Sequence, residues 1–256
     1  MPDLVVIAGP NGAGKSTAAP LLIGERLGIV EFVNADVIAS GLAAFAPGRV
    51  AVEAGRIMLR RLNELAASGA DFAFETTLAS RSFAPWIEML RRERGYRFHL
   101  AFLWLPSAEM AVLRVAGRVR QGGHAVAPND IRRRYARGIA NFFELYAPIA
   151  DSWEIHQNSS SPPELIAARE GSAPIRYGNR MLWEMIRNRM MAKEKDLEYE
   201  TGAEPRLMGV PVSEVMRIFD RAGREVLARH KALGHPIVIW RDGRVVEVPP
   251  EEIEVD

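Results

Sequence analysis

The sequence predicts an α/β fold in which helices cover both faces of a mostly parallel β-sheet. Over the first 157 residues, short runs rich in β-branched and aromatic residues alternate with segments of helix length, which is typical of this class. These apolar runs show little alternation with polar residues, as expected for strands buried on both faces. We therefore expect a three-layer domain with a five-stranded central sheet.

The elements follow in regular order. Strands are expected at 4–8, 31–34, 71–75, 97–105 and 153–157, and helices at 15–26, 48–68, 83–94, 107–121 and 129–147. Ser107 and Asn129 stand where helix N-caps are expected, each followed by an acidic residue in the first turn.

Three further segments follow the last predicted strand. The stretch "SSSPPELIAAREGSAP" at 159–174 indicates a polar turn and a short helix, and an amphipathic run lies near 180–192. The charged, breaker-rich segment 193–209 is typical of a linker. Residues 210–256 then show helical apolar spacing and two β-rich runs joined at Asp242-Gly243, a strong hairpin signal. We expect a main domain over 1–192, a linker, and a small helix-plus-hairpin module over 210–256.

Composition excludes several classes of function. The 256 residues contain no cysteine, which excludes disulfides, thiolate catalysis and cysteine metal sites. The N-terminus has no basic region before its apolar run, so a cytoplasmic protein is expected, without a membrane partner. The net charge of +1 combines +5 over residues 1–192 (23 basic, 18 acidic) with −4 over 193–256 (10 basic, 14 acidic). That balance suits an anionic substrate and is too weak to indicate nucleic acid.

Residues 9–16, "GPNGAGKS", match G-x-x-x-x-G-K-[ST] between a predicted strand and helix. Such a loop, the P-loop, turns backbone N–H groups toward phosphate oxygens. Its lysine contacts the β- and γ-phosphates, and its serine hydroxyl binds Mg²⁺. We therefore expect ATP and Mg²⁺ as cofactors, with Ser16 as the metal ligand. The expected nucleotide-binding residues are Gly9, Pro10, Asn11, Gly12, Ala13, Gly14, Lys15, Ser16 and Thr17.

A coincidental match to this motif is disfavoured by lysine usage. Lys15 is the only lysine among residues 1–192, a span that contains 22 arginines. This part of the chain otherwise uses arginine for positive charge, and its lysine stands where the motif needs a compact point charge.

Carboxylates at strand ends indicate what happens to the phosphate. Asp36 follows the second strand, at the sheet edge where ligands bind in open α/β folds, and is the candidate general base toward an acceptor hydroxyl. The alternative is that Asp36 only caps a helix. Glu75, Thr76 and Thr77 end the third strand and could bind the acceptor, although β-propensity alone would also explain the threonines. The third strand ends in Glu75 and not in the Asp that is typical of switch GTPases and motor ATPases.

The stretch at 118–134, "RVRQGGHAVAPNDIRRR", offers positive charge for the migrating phosphoryl group. Arg118 or Arg120, together with Arg133 or Arg134, are the candidates, and the glycine pair 122–123 would act as a lid hinge. His124 in the same loop is expected to be structural or to bind substrate, because no partner stands at metal-ligand spacing.

Several motifs taken in order resemble the zeta toxin family of P-loop kinases over residues ~3–168. They are "AGPNGAGKST", "NADVIA", "FETTLAS", "RVRQGGHAV", "IRRRYARGIANF" and "WEIHQNS". The resemblance implies an ATP- and Mg²⁺-dependent kinase acting on a hydroxyl of UDP-N-acetylglucosamine. It also implies Asp36 as the base, Glu75 and Thr76 at the sugar, and arginines of 118–134 at the phosphates. The compact body is like that of the shorter homologues in this family. The resemblance therefore supports the kinase class more strongly than it supports UDP-N-acetylglucosamine as the acceptor.

From about residue 205 the tail resembles, more weakly, small partner or antitoxin-like proteins encoded beside such kinases. It could therefore inhibit the kinase domain, complete the fold or form a dimer contact. Two alternatives to the leading function stay open. One is a kinase of another acceptor, such as a polynucleotide end or an antibiotic, and the other is a nucleotide-binding regulatory protein whose tail binds a partner.

Overall fold

A computed structural model describes residues 1–20, 22, 28–43, 50–120, 125–159, 162–192, 206–207, 210–211, 228–229, 231–241 and 244–253. The strands of the central sheet are β1 (Asp3–Ala8), β2 (Glu31–Val33), β3 (Phe72–Thr76), β4 (Arg97–Trp104), β5 (Ser152–Gln157), β6 (Glu164–Glu170) and β7 (Arg176–Tyr177). The helices are α1 (Lys15–Ala19), α2 (Ala35–Leu42), α3 (Ala51–Ser68), α4 (Phe83–Arg94), α5 (Ala108–Arg120), α6 (Pro128–Asn141), α7 (Ala147–Ile149) and α8 (Arg180–Ala192). A π-helical turn, Phe142–Tyr146, joins α6 to α7.

The sheet has the order β2-β3-β1-β4-β5-β6-β7. The first five strands in this order are parallel, and β6 and β7 continue the sheet antiparallel. The predicted α/β class and mostly parallel sheet are confirmed. The strand count of five was wrong, because two antiparallel strands extend one edge to give seven.

Residues of β1 show how the sheet is buried on both faces. Leu4, Val6 and Ala8 belong to the larger apolar cluster, whereas Val5 and Ile7 belong to a cluster on the opposite side. All five are at most 3% exposed. A strand that packs against helices on both sides has no solvent face, which is why the apolar run is continuous.

Two local predictions were wrong. The segment expected to form a short helix within 159–174 contains β6, which pairs with β5. Helix α6 begins at Pro128 with Ala127 as its N-cap, so Asn129 is not the cap, because proline is pre-organised for the first helical position. The first helix, expected over 15–26, is observed as α1 from Lys15 to Ala19, and most of its other expected positions lie outside the described residues. Ser107 does cap α5, since its hydroxyl accepts from the Met110 N–H at 3.1 Å.

The C-terminal part is described only in pieces. Strands β8 (Arg206–Leu207) and β9 (Val210–Pro211) pair with each other, as do β10 (Ile237–Arg241) and β11 (Arg244–Val248). The antiparallel β10–β11 register agrees with the expected hairpin, whose Asp242-Gly243 turn lies outside the described residues. Most of the expected linker and C-terminal helix also lies outside them. Among the described helices, none is long and apolar enough to cross a membrane.

Candidate active site

The loop between β1 and α1 can follow its path only because of its glycines. Gly9, Gly12 and Gly14 have φ values of 142°, 77° and 79°, a region that side chains with a Cβ rarely adopt. Space is restricted as well. A Cβ on Gly9 would collide with the Leu103 carbonyl oxygen, and one on Gly14 would lie 2.7 Å from Asn158 Nδ2.

Asn158, the residue directly after β5, holds this loop through a side-chain hydrogen bond. Its Nδ2 donates to the Ala13 carbonyl at 2.6 Å, and its backbone N–H donates to the Trp104 carbonyl at 3.1 Å. The Arg114 guanidinium donates to the Asn158 carbonyl at 2.6 Å and to the Ser159 carbonyl at 2.9 Å. The loop is therefore tied to the end of β5 and to α5.

Lys15 is buried beside a carboxylate. Its Nζ donates to the Pro10 carbonyl at 3.0 Å and lies 3.5 Å from Glu75 Oε1, with 6% of the side chain exposed. Burial lowers the pKa of Lys15 below its usual 10.5, and the negative charges of Glu75 and Asp36 partly offset this effect. The ammonium is thus paired inside the protein at the base of the loop.

Glu75, Ser16 and Asn34 form one hydrogen-bonded group. The Ser16 hydroxyl and Asn34 Nδ2 both donate to Glu75 Oε2, each at 2.7 Å. Because the P-loop, β2 and β3 all end at this edge of the sheet, the three side chains meet there. Ser16 and Glu75 supply the oxygen ligands that Mg²⁺ prefers, so the residues present fit the expected metal.

The helix-cap alternative for Asp36 does not hold. Asn34 is the N-cap of α2, and its Oδ1 accepts from the N–H groups of Asp36 at 2.7 Å and Val37 at 3.3 Å. Asp36 lies in the first turn of the helix, and its exposed side chain faces the cavity described next.

A single cavity of about 470 Å³ connects these groups. It is lined by Asn11, Gly12, Gly14, Lys15, Ser16, Thr17, Asn34, Ala35, Asp36, Met58, Glu75, Thr76, Thr77, Phe83, Arg114, Arg118 and Arg134. The cavity therefore has basic walls from α5 and α6, and an acidic edge at the ends of β2 and β3.

The two threonines at the end of β3 have backbone partners as well as a place in the lining. Thr76 Oγ1 accepts from the Leu78 N–H at 3.1 Å, and Thr77 Oγ1 accepts from the Ala79 N–H at 3.4 Å. Both threonines thus shape the turn that follows the strand, a role that β-propensity alone does not predict.

Two of the four candidate arginines lie in the lining and two do not. Arg118 and Arg134 face the cavity, whereas Arg120 and Arg133 are outside it. Adjacent positions on a helix point in different directions, so Arg133 does not point the same way as Arg134. Its guanidinium instead lies 2.7 Å from the Asp130 carboxylate, in an i,i+3 pair on the exposed side of α6. His124 and the proposed glycine hinge lie outside the described residues. Gly9, Pro10 and Ala13 belong to the loop but are buried and do not line the cavity.

Five residues of the lining were not predicted from the sequence. Asn34 lies within "NADVIA", two residues before Asp36, and asparagine before a helix is itself a cap signal. Arg114 lies one turn before Arg118 on the same helix face. No sequence signal singled out Ala35, Met58 or Phe83, which reach the cavity only through tertiary packing.

Comparison with known proteins agrees with this fold. A chain of the AvrRxo1-ORF1:AvrRxo1-ORF2 complex crystallised with sulfate is similar with a TM-score of 0.57 and 18% identity, over 73% of this chain. The crystal structure of that complex with ATP gives a TM-score of 0.56 at 17% identity. In both cases the present protein spans only 63% of the other chain's length.

An uncharacterized protein of Haemophilus influenzae is 25% identical over 131 residues, which cover 51% of this chain and 91% of that protein. The family model described as AAA domain matches residues 4–140. This span contains the P-loop, the Ser16–Glu75–Asn34 group and the arginines of α5 and α6. The chain therefore belongs to the AAA domain family of P-loop proteins.

Proposed function

We propose that this protein is an ATP-dependent phosphotransferase that transfers the γ-phosphate to a hydroxyl of a small acceptor. The observation that carries the proposal is the continuity of one cavity from the P-loop to Asp36. Because Asn34 supplies the helix cap, the Asp36 carboxylate remains available in that cavity.

Each group of residues that lines the cavity has its own role in the proposed phosphoryl transfer. Backbone N–H groups of the P-loop and Lys15 bind the β- and γ-phosphates, and Arg118 and Arg134 neutralise charge on the migrating group. Asp36 accepts the proton of the acceptor hydroxyl as its oxygen forms a bond to the γ-phosphorus. The bond from that phosphorus to the β–γ bridging oxygen breaks, and ADP leaves with the bonding electrons.

Ser16 and Glu75 would hold the magnesium ion of Mg²⁺·ATP, the first directly and the second directly or through water. When bound, the ion would neutralise phosphate charge. Glu75 is already the acceptor of the Ser16 hydroxyl, so the serine is oriented toward this position before the ion binds.

The resemblance to zeta toxins implies a nucleotide sugar as the acceptor. UDP-N-acetylglucosamine is the first candidate, and Glu75, Thr76 and Thr77 would bind its sugar. The fold relative crystallised with ATP is consistent with ATP as donor. A kinase of another hydroxyl compound would use the same catalytic residues.

We further propose that the main domain ends near residue 192 and that the C-terminal module is an antitoxin-like inhibitory segment. The opposite net charges of the two parts favour attraction between them. Strand β8, at the end of the linker that precedes the module, lies against α5, the helix that carries Arg114 and Arg118. Deletion of residues 200–256 should then increase ATP turnover. Unchanged turnover and unchanged growth on expression would refute the inhibitory role.

Asp36→Asn tests the catalytic proposal. With labelled ATP and a metabolite extract to identify the acceptor, this variant should lose acceptor labelling by about 10²–10⁴-fold, the usual contribution of a general base, while still binding ATP. Asp130→Asn, on α6 and outside the cavity, is the matched control and should label normally. A regulatory nucleotide-binding protein would instead show no labelled acceptor even in the wild type.

A further inference from the structure

Helix α6 places three residues on one face, and only the first of them lines the cavity. Arg134, Gly138 and Asn141 are spaced by four and three residues, so they lie in one row along the helix. Arg134 faces the cavity, whereas Gly138 and Asn141 are buried. The row therefore runs from the phosphate end of the site into the protein.

The buried part of this row contacts the turn that follows β3. A Cβ on Gly138 would collide with the Thr77 carbonyl oxygen, so the helix backbone approaches this turn as closely as a glycine allows. Asn141 Nδ2 donates to the Leu78 carbonyl at 2.7 Å, and this hydrogen bond is buried.

Leu78 needs such support. Its φ of 55° lies in the left-handed region, which costs free energy for a leucine and persists only where the surroundings impose it. Its N–H is bonded to Thr76 Oγ1 and its carbonyl to Asn141. Both backbone groups of Leu78 therefore have a hydrogen-bond partner: the N–H at the end of β3 and the carbonyl on α6.

A third contact joins the same helix region to this turn. Tyr146, in the π-helical turn after α6, donates its hydroxyl to the Ser80 carbonyl at 2.7 Å. Burial raises the pKa of Tyr146 to about 12, so the hydroxyl keeps its proton at neutral pH. The helix and its continuation thus contact the turn at residues 77, 78 and 80.

We propose that α6 sets the distance between Arg134 at the phosphate end and Thr76 and Thr77 at the acceptor edge. Gly138 and Asn141 are then positioning residues for phosphoryl transfer. This inference rests on the proposed phosphotransferase function. Misplacing reacting groups by about 1 Å can lower a rate by about 100-fold even when binding is preserved, so the effect should fall on kcat and on acceptor KM rather than on ATP affinity.

Gly138→Ala is the primary test, and Gly55→Ala in α3 is its matched control. Both substitutions replace a helical glycine, but a Cβ on Gly55 meets no atom within 4 Å. With labelled ATP and the hydroxyl compound that the metabolite-extract experiment identifies as acceptor, Gly138→Ala should lower kcat by about 30-fold or more. Its Kd for ATP should stay within about threefold of wild type, a change of under about 0.7 kcal/mol. Gly55→Ala should match the wild type in both.

Asn141→Ala provides a second variant that introduces no collision. It should likewise lower kcat while its Kd for ATP stays close to that of the wild type. If both variants fold and keep the wild-type kcat and acceptor KM, the inference is overturned. It is also overturned if ATP affinity falls in parallel with kcat, because general damage to the domain would then explain the loss.

Amide hydrogen exchange separates this inference from the proposed function. Residues 76–80 should exchange at least about tenfold faster in Asn141→Ala than in Gly55→Ala, as expected when a local support is removed. This measurement needs no acceptor. A wild type that labels no hydroxyl compound would refute the phosphotransferase function, whereas equal exchange in the two variants would refute the positioning role.

Discussion

Replacement of Glu75 by glutamine tests how the P-loop lysine is stabilised before nucleotide binds. Lys15 is 6% exposed and Glu75 12% exposed, with 3.5 Å between their charged atoms. Glutamine keeps the size of the side chain and still offers an oxygen to Ser16 and Asn34. The substitution therefore removes mainly the negative charge.

The magnitude follows from the geometry. Two unit charges 3.5 Å apart attract by about 5 kcal/mol at an effective dielectric constant of about 20. Removing one partner of a buried ion pair costs about 3–5 kcal/mol. Because Asp36 also acts on Lys15 and Glu75 is not fully buried, we expect Glu75→Gln to lower the free energy of unfolding by about 2–3 kcal/mol. The melting temperature should then fall by about 5–10 °C for a chain of this size.

The assay is urea unfolding of the nucleotide-free protein, repeated with saturating ATP. Glu64→Gln is the control, because Glu64 pairs with Arg61 at 3.5 Å on the surface with 55% of its side chain exposed, and such pairs contribute under about 1 kcal/mol. Bound phosphates supply new negative charge to Lys15, so ATP should narrow the gap between Glu75→Gln and wild type. Equal losses for the two variants, or a gap that ATP does not change, would refute the assignment of Glu75 as the counter-ion.

The other predictions concern the cap, the loop and pH. Asn34→Ala removes both the α2 cap and a donor to Glu75, so it should lower the free energy of unfolding by about 1–2 kcal/mol in urea titration; no loss would contradict the cap. Gly14→Ala should abolish ATP binding in calorimetry, whereas Gly28→Ala, which has a similar positive φ but open space, should retain it. Burial raises the pKa of Asp151, but the Arg91 hydrogen bond and charge lower it further, to a net value below its usual 3.8. This pair therefore stabilises the protein above pH 3.8, and Asp151→Asn should cost about 0.5–1 kcal/mol at neutral pH. The cost should shrink as the pH falls below 3.8 and through the lowered folded-state pKa of Asp151, where the carboxylate becomes protonated, and a constant cost would contradict the pairing.

Much of the fold was predictable because its signals are local. The parallel core strands are continuous apolar runs, and their predicted bounds differ from the observed ones by at most one residue at each end. Strand β6 was missed for a physical reason. Its sequence, ELIAARE, contains mostly good helix formers, and it becomes a strand because the exposed edge of β5 offers hydrogen-bonding partners. Tertiary pairing thus overrides local propensity here.

The site was predictable where chemistry requires particular residue types, and less so where packing decides. The P-loop glycines and Lys15 follow from the need to approach phosphates closely. Which arginines reach the cavity depends on the rotation of α5 and α6, which their sequence alone leaves open. The left-handed conformation of Leu78 has no sequence signal, because part of its support is a hydrogen bond from Asn141, 63 residues away.

The arrangement of charge gives Lys15 and the arginines of the cavity lining different roles in nucleotide binding. Lys15 is paired with Glu75 before nucleotide binds, so its charge is largely neutralised as seen from solvent. Long-range attraction of a triphosphate must then come from the arginines of the lining, of which Arg118 is exposed and Arg134 is half-buried. Once the phosphates arrive, they can take the place of Glu75 beside Lys15. If the protein transfers a phosphoryl group as proposed, Glu75 would then be free to bind the metal and the acceptor, so binding of the donor would itself complete the site for the second substrate.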